Sequence, residues 1–236
     1  MKKVIIDPVF WELFPQGQIN VLVVKGVDNH FQTGQEENLK QLLSEASQAA
    51  QQFVQAEPIS ENPVVAQWRE AFSQFKTKKG ARSSIEALLK RAKQGREFLP
   101  INPLVDVYNS VSLKHGVPCG GEDIEQLQGD LHLGKAQGGE EFFPLGAEKD
   151  APALEGEIIY YDQAGAVCRC LNWREAQRTM LTEETTNAVF FIEAINPEQA
   201  ARASEAAAEL SQLFNEHLQV ESVGSQLTKE NSEFVL

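Results

Sequence analysis

Across its middle, the chain changes apolar period once, and this constrains the fold more than any other feature. Leu39, Leu42, Leu43, Ala46, Ala50 and Phe53 recur at helical spacing, as do Val65, Trp68, Phe72 and Phe75 after Pro63, and then Ile85, Leu88, Leu89 and Ala92. Each stripe buries one side of a helix. From Asp123 onward the apolar residues come in short runs, IEQL, DLHLGKA, EFFPL, GEIIYYD, AVCRCLN and NAVFFIEA, separated by Gly, Asp and Pro. That is the pattern of strands. Helices first and strands later predict an α+β fold whose strands form a mixed sheet or curl into a Greek-key, barrel-like core with flanking helices. Two N-terminal extended runs, VIIDPVF and INVLVVKG, precede the helices, and an alanine-rich helix opened by Asn196 and Pro197 follows the strands.

Local chemistry marks where elements start and stop. Thr33 with Glu36, and Ser83 with Glu86, have capping-box spacing, while Asn102 and Pro103 open a helix that Gly116 closes. Residues Gln163 to Gly165 mark a hairpin between GEIIYYD and AVCRCLN. The expected organisation is one compact domain. Strands and helices over 1–80 pack on a core over 81–195, followed by a helix and extension over 196–223 and a loose tail over 224–236.

A chain of 236 residues can bury a sizeable core without covalent staples. Its three cysteines, Cys119, Cys168 and Cys170, argue against a secreted disulfide framework. With no signal-like N-terminus and no apolar run of membrane length, the expected location is cytoplasmic. A formal net charge of −13 disfavours indiscriminate binding to DNA, RNA or an anionic membrane. Yet Lys76, Lys78, Lys79, Arg82, Lys90, Arg91, Lys93 and Arg96 lie close together, opposed there only by Glu86 and Glu97. Such a band is either a solvated helix face or a phosphate-tracking patch.

The helix after Asn102 carries a second oddity. Asp106 and Asn109 sit beside the apolar Leu104, Val107, Tyr108 and Val111. A buried polar group without a partner costs a few kcal/mol, on the order of 1–3, so each needs one in the protein or in a ligand. His115, Cys119, Cys168 and Cys170 could supply zinc ligands, but a CxC with a distant HxxxC is not a diagnostic spacing, and neither metal nor cofactor is expected. There is no GxSxG elbow, and none of the four histidines has a catalytic setting. The doublets Gly120–Gly121 and Gly138–Gly139 make turns, or else expose N–H donors to an oxyanion.

The run INPLVDVYNSVSLKHGVPCGGEDIEQLQGDLHLGKAQGGEEFFPLG, with GEIIYYD and TTNAVFFIEA after it, resembles the B3/4 domain of the β subunit of phenylalanyl-tRNA synthetase. The likeness covers residues 80 to 195. It rests on the VDxxN helix, the GxP turn followed by Asp123, the strand leading to Gly139 and Glu140, and the T-x-N segment at Thr185 to Asn187. No part resembles the synthetase's catalytic core, so the chain reads as a freestanding version of the domain. In the synthetase, that domain hydrolyses tyrosine misattached to the phenylalanine tRNA.

The resemblance implies a hydrolase that deacylates misacylated tRNA, acting on an acceptor end that carries a noncognate amino acid. An aminoacyl ester is already activated, so a positioned water and fixed oxyanion donors suffice. It also implies pocket residues: Asn109 matches the family's pocket asparagine, Asp106 braces the helix or its neighbouring loop, and Gly120 and Gly121 offer main-chain donors. Glu175 is the nearest match to the carboxylate that reads the tyrosine hydroxyl. Where the family has a histidine, two residues after the proline of the GxP turn, this chain has Gly120, so that histidine's role does not carry over and tyrosine is not assumed. Trp173 and Arg174 offer a stacking surface and a phosphate clamp, and Lys78, Lys79 and Arg82 offer backbone contacts to tRNA. Two other readings stay open, a noncatalytic RNA-binding module and a pocket for free amino acids on the same scaffold.

Charge placement alone supports one prediction. Neutralising Lys78, Lys79 and Arg82 together weakens tRNA binding and makes the slope of log K against log salt shallower by up to about 2, read by fluorescence anisotropy at several salt concentrations. An unchanged slope refutes the assignment of this patch.

Overall fold

The computed structural model describes residues 1–236. Strand β1 (Lys3–Ile6) leads through the short helix α1 (Pro8–Leu13) into the long strand β2 (Gln18–Lys25), and four helices follow, α2 (Gln35–Ala49), α3 (Pro63–Ser73), α4 (Ser84–Lys93) and α5 (Pro103–His115). The strand-rich half contains β3 (Cys119–Asp123), β4 (Leu131–Lys135), β5 (Ile158–Asp162), β6 (Gly165–Arg169), β7 (Arg174–Glu175) and β8 (Asn187–Ala194). Helix α6 (Pro197–Leu218) and strands β9 (Ser222–Leu227) and β10 (Glu233–Val235) complete the chain. The strands form two sheets and not a closed barrel. One is mixed, in the order β10-β1-β4-β5-β6-β7, with β1 parallel to β4; the other is antiparallel, in the order β3-β8-β2-β9. The expected α+β class holds, in its mixed-sheet form.

The unbroken apolar runs of β2 and β8 have a packing cause. Alternate residues of a strand face opposite sides, and both sides of this sheet are covered. Ile19, Val21, Val23, Val189 and Phe191 face the main core, shared with Val4, Leu131, Leu133, Ile158 and Tyr160 of the mixed sheet and with Trp68 and Leu89 of the helices. Leu22, Val24, Ala188, Phe190 and Ile192 face a second core formed by α5 and α6. Burying each such side chain contributes about 1.5–3 kcal/mol. In α6, Ala203 and Ala206 are fully buried, and their small side chains let the helix lie close to the sheet.

Helix boundaries test the capping chemistry one by one. The Asn102 side chain accepts from the Val105 N–H and the Asn196 side chain from the Gln199 N–H, with proline next in both. Gly116 ends α5 at a φ of +63°, the left-handed region that favours glycine. The two capping boxes do not form. Helix α2 starts after Gly34 instead of Thr33. Ser83 does precede α4, but its hydroxyl donates to Asn172, while the buried Glu86 is gripped by Arg69 through two hydrogen bonds. Tertiary partners outcompete a local cap worth about 1 kcal/mol.

Three expected elements differ. IEQL is a single 3₁₀ turn (Ile124–Gln126), and EFFPL forms no strand beyond one bridge from Pro144 to Ala176. The expected loose tail is ordered: β9 pairs with β2, β10 pairs with β1, and Leu227 and Leu236 are buried. Edge pairing uses backbone groups, so it leaves little side-chain pattern to read. The hairpin formed as expected, with β5 and β6 antiparallel and Asp162 opposite Gly165.

A buried ion pair ties the strand-rich half together. Arg169 is 1% exposed and Glu157 fully buried; the guanidinium makes two bonds to this carboxylate and a third, of 2.6 Å, to the Ala151 carbonyl. Its flat face also lies 5.7 Å from the Phe142 ring and 6.0 Å from that of Trp173. Removing one partner strands a charge in a dry interior, which costs about 3–5 kcal/mol. Arg169→Met should lower the unfolding free energy by that amount in urea titrations, and Arg169→Met with Glu157→Leu should recover much of it. A single variant within about 1 kcal/mol of the parent contradicts this role.

Candidate functional site

A cavity of about 380 Å³ opens between α4, α5 and the inner faces of the two sheets. Helix α5 brings Tyr108 and Asn109 to it, β3 brings Cys119, Gly120 and Glu122, and β8 brings Phe191 and Glu193. Tyr160, Cys168 and the segment Asn172 to Glu175 complete the opposite wall. Five residues singled out in the sequence therefore meet here: Asn109, Gly120, Trp173, Arg174 and Glu175. Asn109 is half-buried, and its carboxamide makes no side-chain hydrogen bond within the protein, so its polar atoms are available to a ligand.

Asp106 is different. It is buried, one oxygen accepts from the Ile101 N–H at 2.9 Å, and the other has no partner. Burial pushes its carboxyl up to about 6. The bond to Ile101 ties the loop before α5 to the helix.

Strand geometry sorts the two glycines. A period of two turns Gly120 and Glu122 toward the cavity and Gly121 away from it. A Cβ on Gly120 would stand 3.4 Å from Glu175 Oε1, whereas one on Gly121 would stand 2.7 Å from the Phe190 ring. Gly120 thus leaves open the space above the Glu175 carboxylate, and Gly121 lets β3 pack closely on the second core. Asp123 accepts from the Glu125 N–H and from the Thr185 hydroxyl, so the T-x-N segment clamps the turn after β3 and stays outside the cavity.

The opposite wall depends on an unusual turn. Cys170 and Leu171 have φ of +49° and +58°, a left-handed pair that costs non-glycine residues about 1–2 kcal/mol each. Pairing of Cys168 with Glu175, the Leu171 N–H bond to Ile158 and the buried Arg169 hold it. The turn folds Trp173 and Arg174 back over the cavity rim, the guanidinium lying 5.2 Å from the indole ring.

Three carboxylates share the cavity, and two of them, Glu122 and Glu193, escaped the sequence analysis. Glu193 lies in the apolar strand sequence FFIEA, two residues from Phe191 and so on the same face; a lone carboxylate at that register was the available signal. It is 3% exposed and accepts from the Tyr160 hydroxyl at 2.7 Å and from the Asn172 amide. Burial raises its carboxyl to about 7, against those two hydrogen bonds. Glu175 sits among dense protein with part of its side chain open to the cavity. Burial raises it to about 7, partly opposed by the Gly121 N–H. Glu122, 4% exposed, is raised well above the ordinary carboxylate range by burial and then by Glu175, with Arg178 drawing it partly back. The Thr179 hydroxyl faces it, but neither that oxygen nor Glu122 Oε2 reaches hydrogen-bond geometry.

The basic band divides. Lys93 serves the Val54 and Ala56 carbonyls and Glu57, and Arg91 binds the Glu97 carbonyl. Lys76, Lys78, Lys79 and Arg82 are exposed. Asn172 accepts from Ser83 and Ser84 and so ties the end of this exposed segment to the cavity rim. His115 does not meet the cysteines; it bonds Glu209 at 2.6 Å, and no three His, Cys, Asp or Glu side chains are placed to hold a metal ion. No helix is long and apolar enough to cross a membrane.

Residues 67–229, more than half of the chain, match the model of the B3/4 domain. The chain belongs to the B3/4 domain family. The matched span extends beyond 81–195 at both ends and takes in most of α3 and all of α6 and β9. Among solved structures, the N-terminal fragment of the phenylalanyl-tRNA synthetase β subunit from Pyrococcus horikoshii is similar, with a TM-score of 0.50 and 11% identity over 96% of this chain and 54% of that fragment. The chain therefore spans about half the length of that neighbour, and the likeness is one of fold. No curated protein matches.

The raised carboxylates have a consequence for stability. A carboxyl near 7 in the folded state and near 4.5 unfolded binds more protons when folded, so its contribution is full below pH 4.5 and is lost as pH rises through 7. Glu175→Gln should therefore stabilise the protein at pH 8, by on the order of 1–3 kcal/mol, and change little at pH 4.5. Thermal melts across that range test the sign; equal shifts at both ends would refute it.

Proposed function

We propose that the chain binds the acceptor end of a tRNA carrying a noncognate amino acid and hydrolyses the aminoacyl ester by direct attack of water. One observation carries this reading. An unpartnered carboxamide, Asn109, and a carboxyl raised to about 7, Glu175, share a cavity of aminoacyl size with the exposed cation Arg174 at its rim. B3/4 membership and the fold shared with a synthetase fragment support the tRNA as the carrier.

In this scheme Glu175, partly ionised at pH 7, takes a proton from water as the water oxygen bonds to the ester carbon. The Asn109 amide donates to the carbonyl oxygen as it gains charge. The bond to the ribose oxygen then breaks, and that oxygen takes up the proton held by Glu175, releasing free amino acid and tRNA. Gly120 leaves room for the water beside the carboxylate. Lys78, Lys79, Arg82 and Arg174 hold phosphates, and Trp173 offers its face to the terminal base.

A second reading, a tRNA-binding module without hydrolysis, rests on Gly120 standing where the resembled domain has a histidine. One assay separates the two: a panel of mischarged tRNAs, including nonprotein amino acids, is incubated with the protein and amino-acid release is followed. Release should occur, rise with pH through about 7, and fall roughly 10²-fold or more in Glu175→Gln and Asn109→Ala. Binding without release favours the module, and neither binding nor release refutes both.

A further inference from the structure

The cavity's lining is mixed in chemistry. Leu88, Phe191, Cys119, Cys168 and the ring of Tyr108 give it apolar surface, and Glu122, Glu175 and Glu193 line it beside them. The only cation lining the cavity is Arg174, an exposed residue at the rim, stacked near Trp173. Glu193 is already supplied with donors by Tyr160 and Asn172. Two neighbours are not supplied. Glu122 is 4% exposed with Oε2 unpartnered, and Tyr108 is 7% exposed with a hydroxyl that makes no hydrogen bond in the protein. Tyr108 is no part of the acidic cluster, and its open hydroxyl is a separate sign that something polar belongs in this space. Leaving such groups unmet costs free energy on folding that a ligand recovers on binding.

We infer that the amino acid received by this cavity carries a terminal ammonium on a straight aliphatic side chain, of the lysine or ornithine class. This rests on the reading above, in which the cavity takes an aminoacyl group. An ammonium brings three donors and no acceptor, which matches the Glu122 carboxylate and the Tyr108 phenol oxygen, both left without donors. A methylene stem suits the apolar surface, since long cationic side chains bury their stems and present a charged tip. A single hydroxyl on the ligand could donate to only one of these oxygens, and an apolar tip to neither. A bare metal ion is a poor occupant, because no three ligating side chains converge. Glu175 then works at the ester, and the more deeply buried Glu122 meets the tip. An ammonium beside Glu122 favours its ionised form, so binding expels a proton.

Calorimetry on the whole chain tests this with four amides that contain no ester: L-lysinamide, L-ornithinamide, L-norleucinamide and L-tyrosinamide. At pH 7, lysinamide or ornithinamide should bind at least about tenfold more tightly than norleucinamide, which keeps the four side-chain carbons of lysine without the ammonium, and more tightly than tyrosinamide. Titrations in two buffers should show a proton released. Glu122→Gln should bring lysinamide and norleucinamide to within about twofold. Equal or tighter binding of norleucinamide or tyrosinamide overturns the inference, and the wild-type series decides this even if the variant fails to fold. The underlying hydrolase reading fails separately. If lysinamide is preferred but no aminoacyl-tRNA in the panel is cleaved, recognition stands and hydrolysis falls. If tyrosyl or leucyl esters are cleaved while lysyl and ornithyl esters are spared, the reverse holds.

Discussion

The site depends on one buried contact, the grip of Arg169 on Glu157. A guanidinium and a carboxylate removed from water lose hydration worth several kcal/mol per ion, and only close geometry with further hydrogen bonds offsets that loss. Both are present, since Arg169 also reaches the Ala151 carbonyl. The contact joins the start of β5 to the end of β6 and to the loop that returns past Phe142. It thereby fixes where the chain leaves β6 and enters the left-handed turn at Cys170 and Leu171. With the pairing of β6 and β7, that anchor holds Trp173, Arg174 and Glu175 against the cavity.

A second constraint comes from the antiparallel sheet. Both of its faces are buried, so β8 carries apolar residues on each side and can spare only isolated positions for chemistry. Glu193 is one, and Glu122 on the neighbouring β3 is another. The double burial that stabilises the sheet also removes water from these carboxylates and raises their proton affinity. Fold stability and site electrostatics therefore share a cause. The cavity is acidic in composition yet only partly charged near pH 7, and its charge state responds to what enters it.

Much of this was legible in the residues. The helical stripes, the hairpin, the Asn102 and Asn196 caps and the placement of Asn109 beside an apolar face follow from period and capping chemistry, and each has its counterpart in the structure. The failures have physical reasons. Thr33 and Ser83 have the right spacing for caps, but Ser83 finds a better partner in Asn172, which is distant in sequence. The polar C-terminal strands bury little and are held by backbone pairing that hydropathy does not record. Glu122 sits in a run, CGGED, with no apolar alternation to mark it as a strand that faces a core.

By itself, the sequence determined the class of fold, the sides of the helices and strands that face a core, and the presence of a polar residue at position 109 on a largely buried helix. Those are properties of period and side-chain type, which act over a few residues. Only the tertiary structure decided that three carboxylates from β3, β7 and β8 face one hollow, that Gly121 turns away from it while Gly120 opens onto it, and that Arg91 and Lys93 of the basic band are occupied with internal carbonyls and a carboxylate. Proton affinity and the availability of a donor depend on distance and on exclusion of water, and both are set by contacts between segments far apart in the chain.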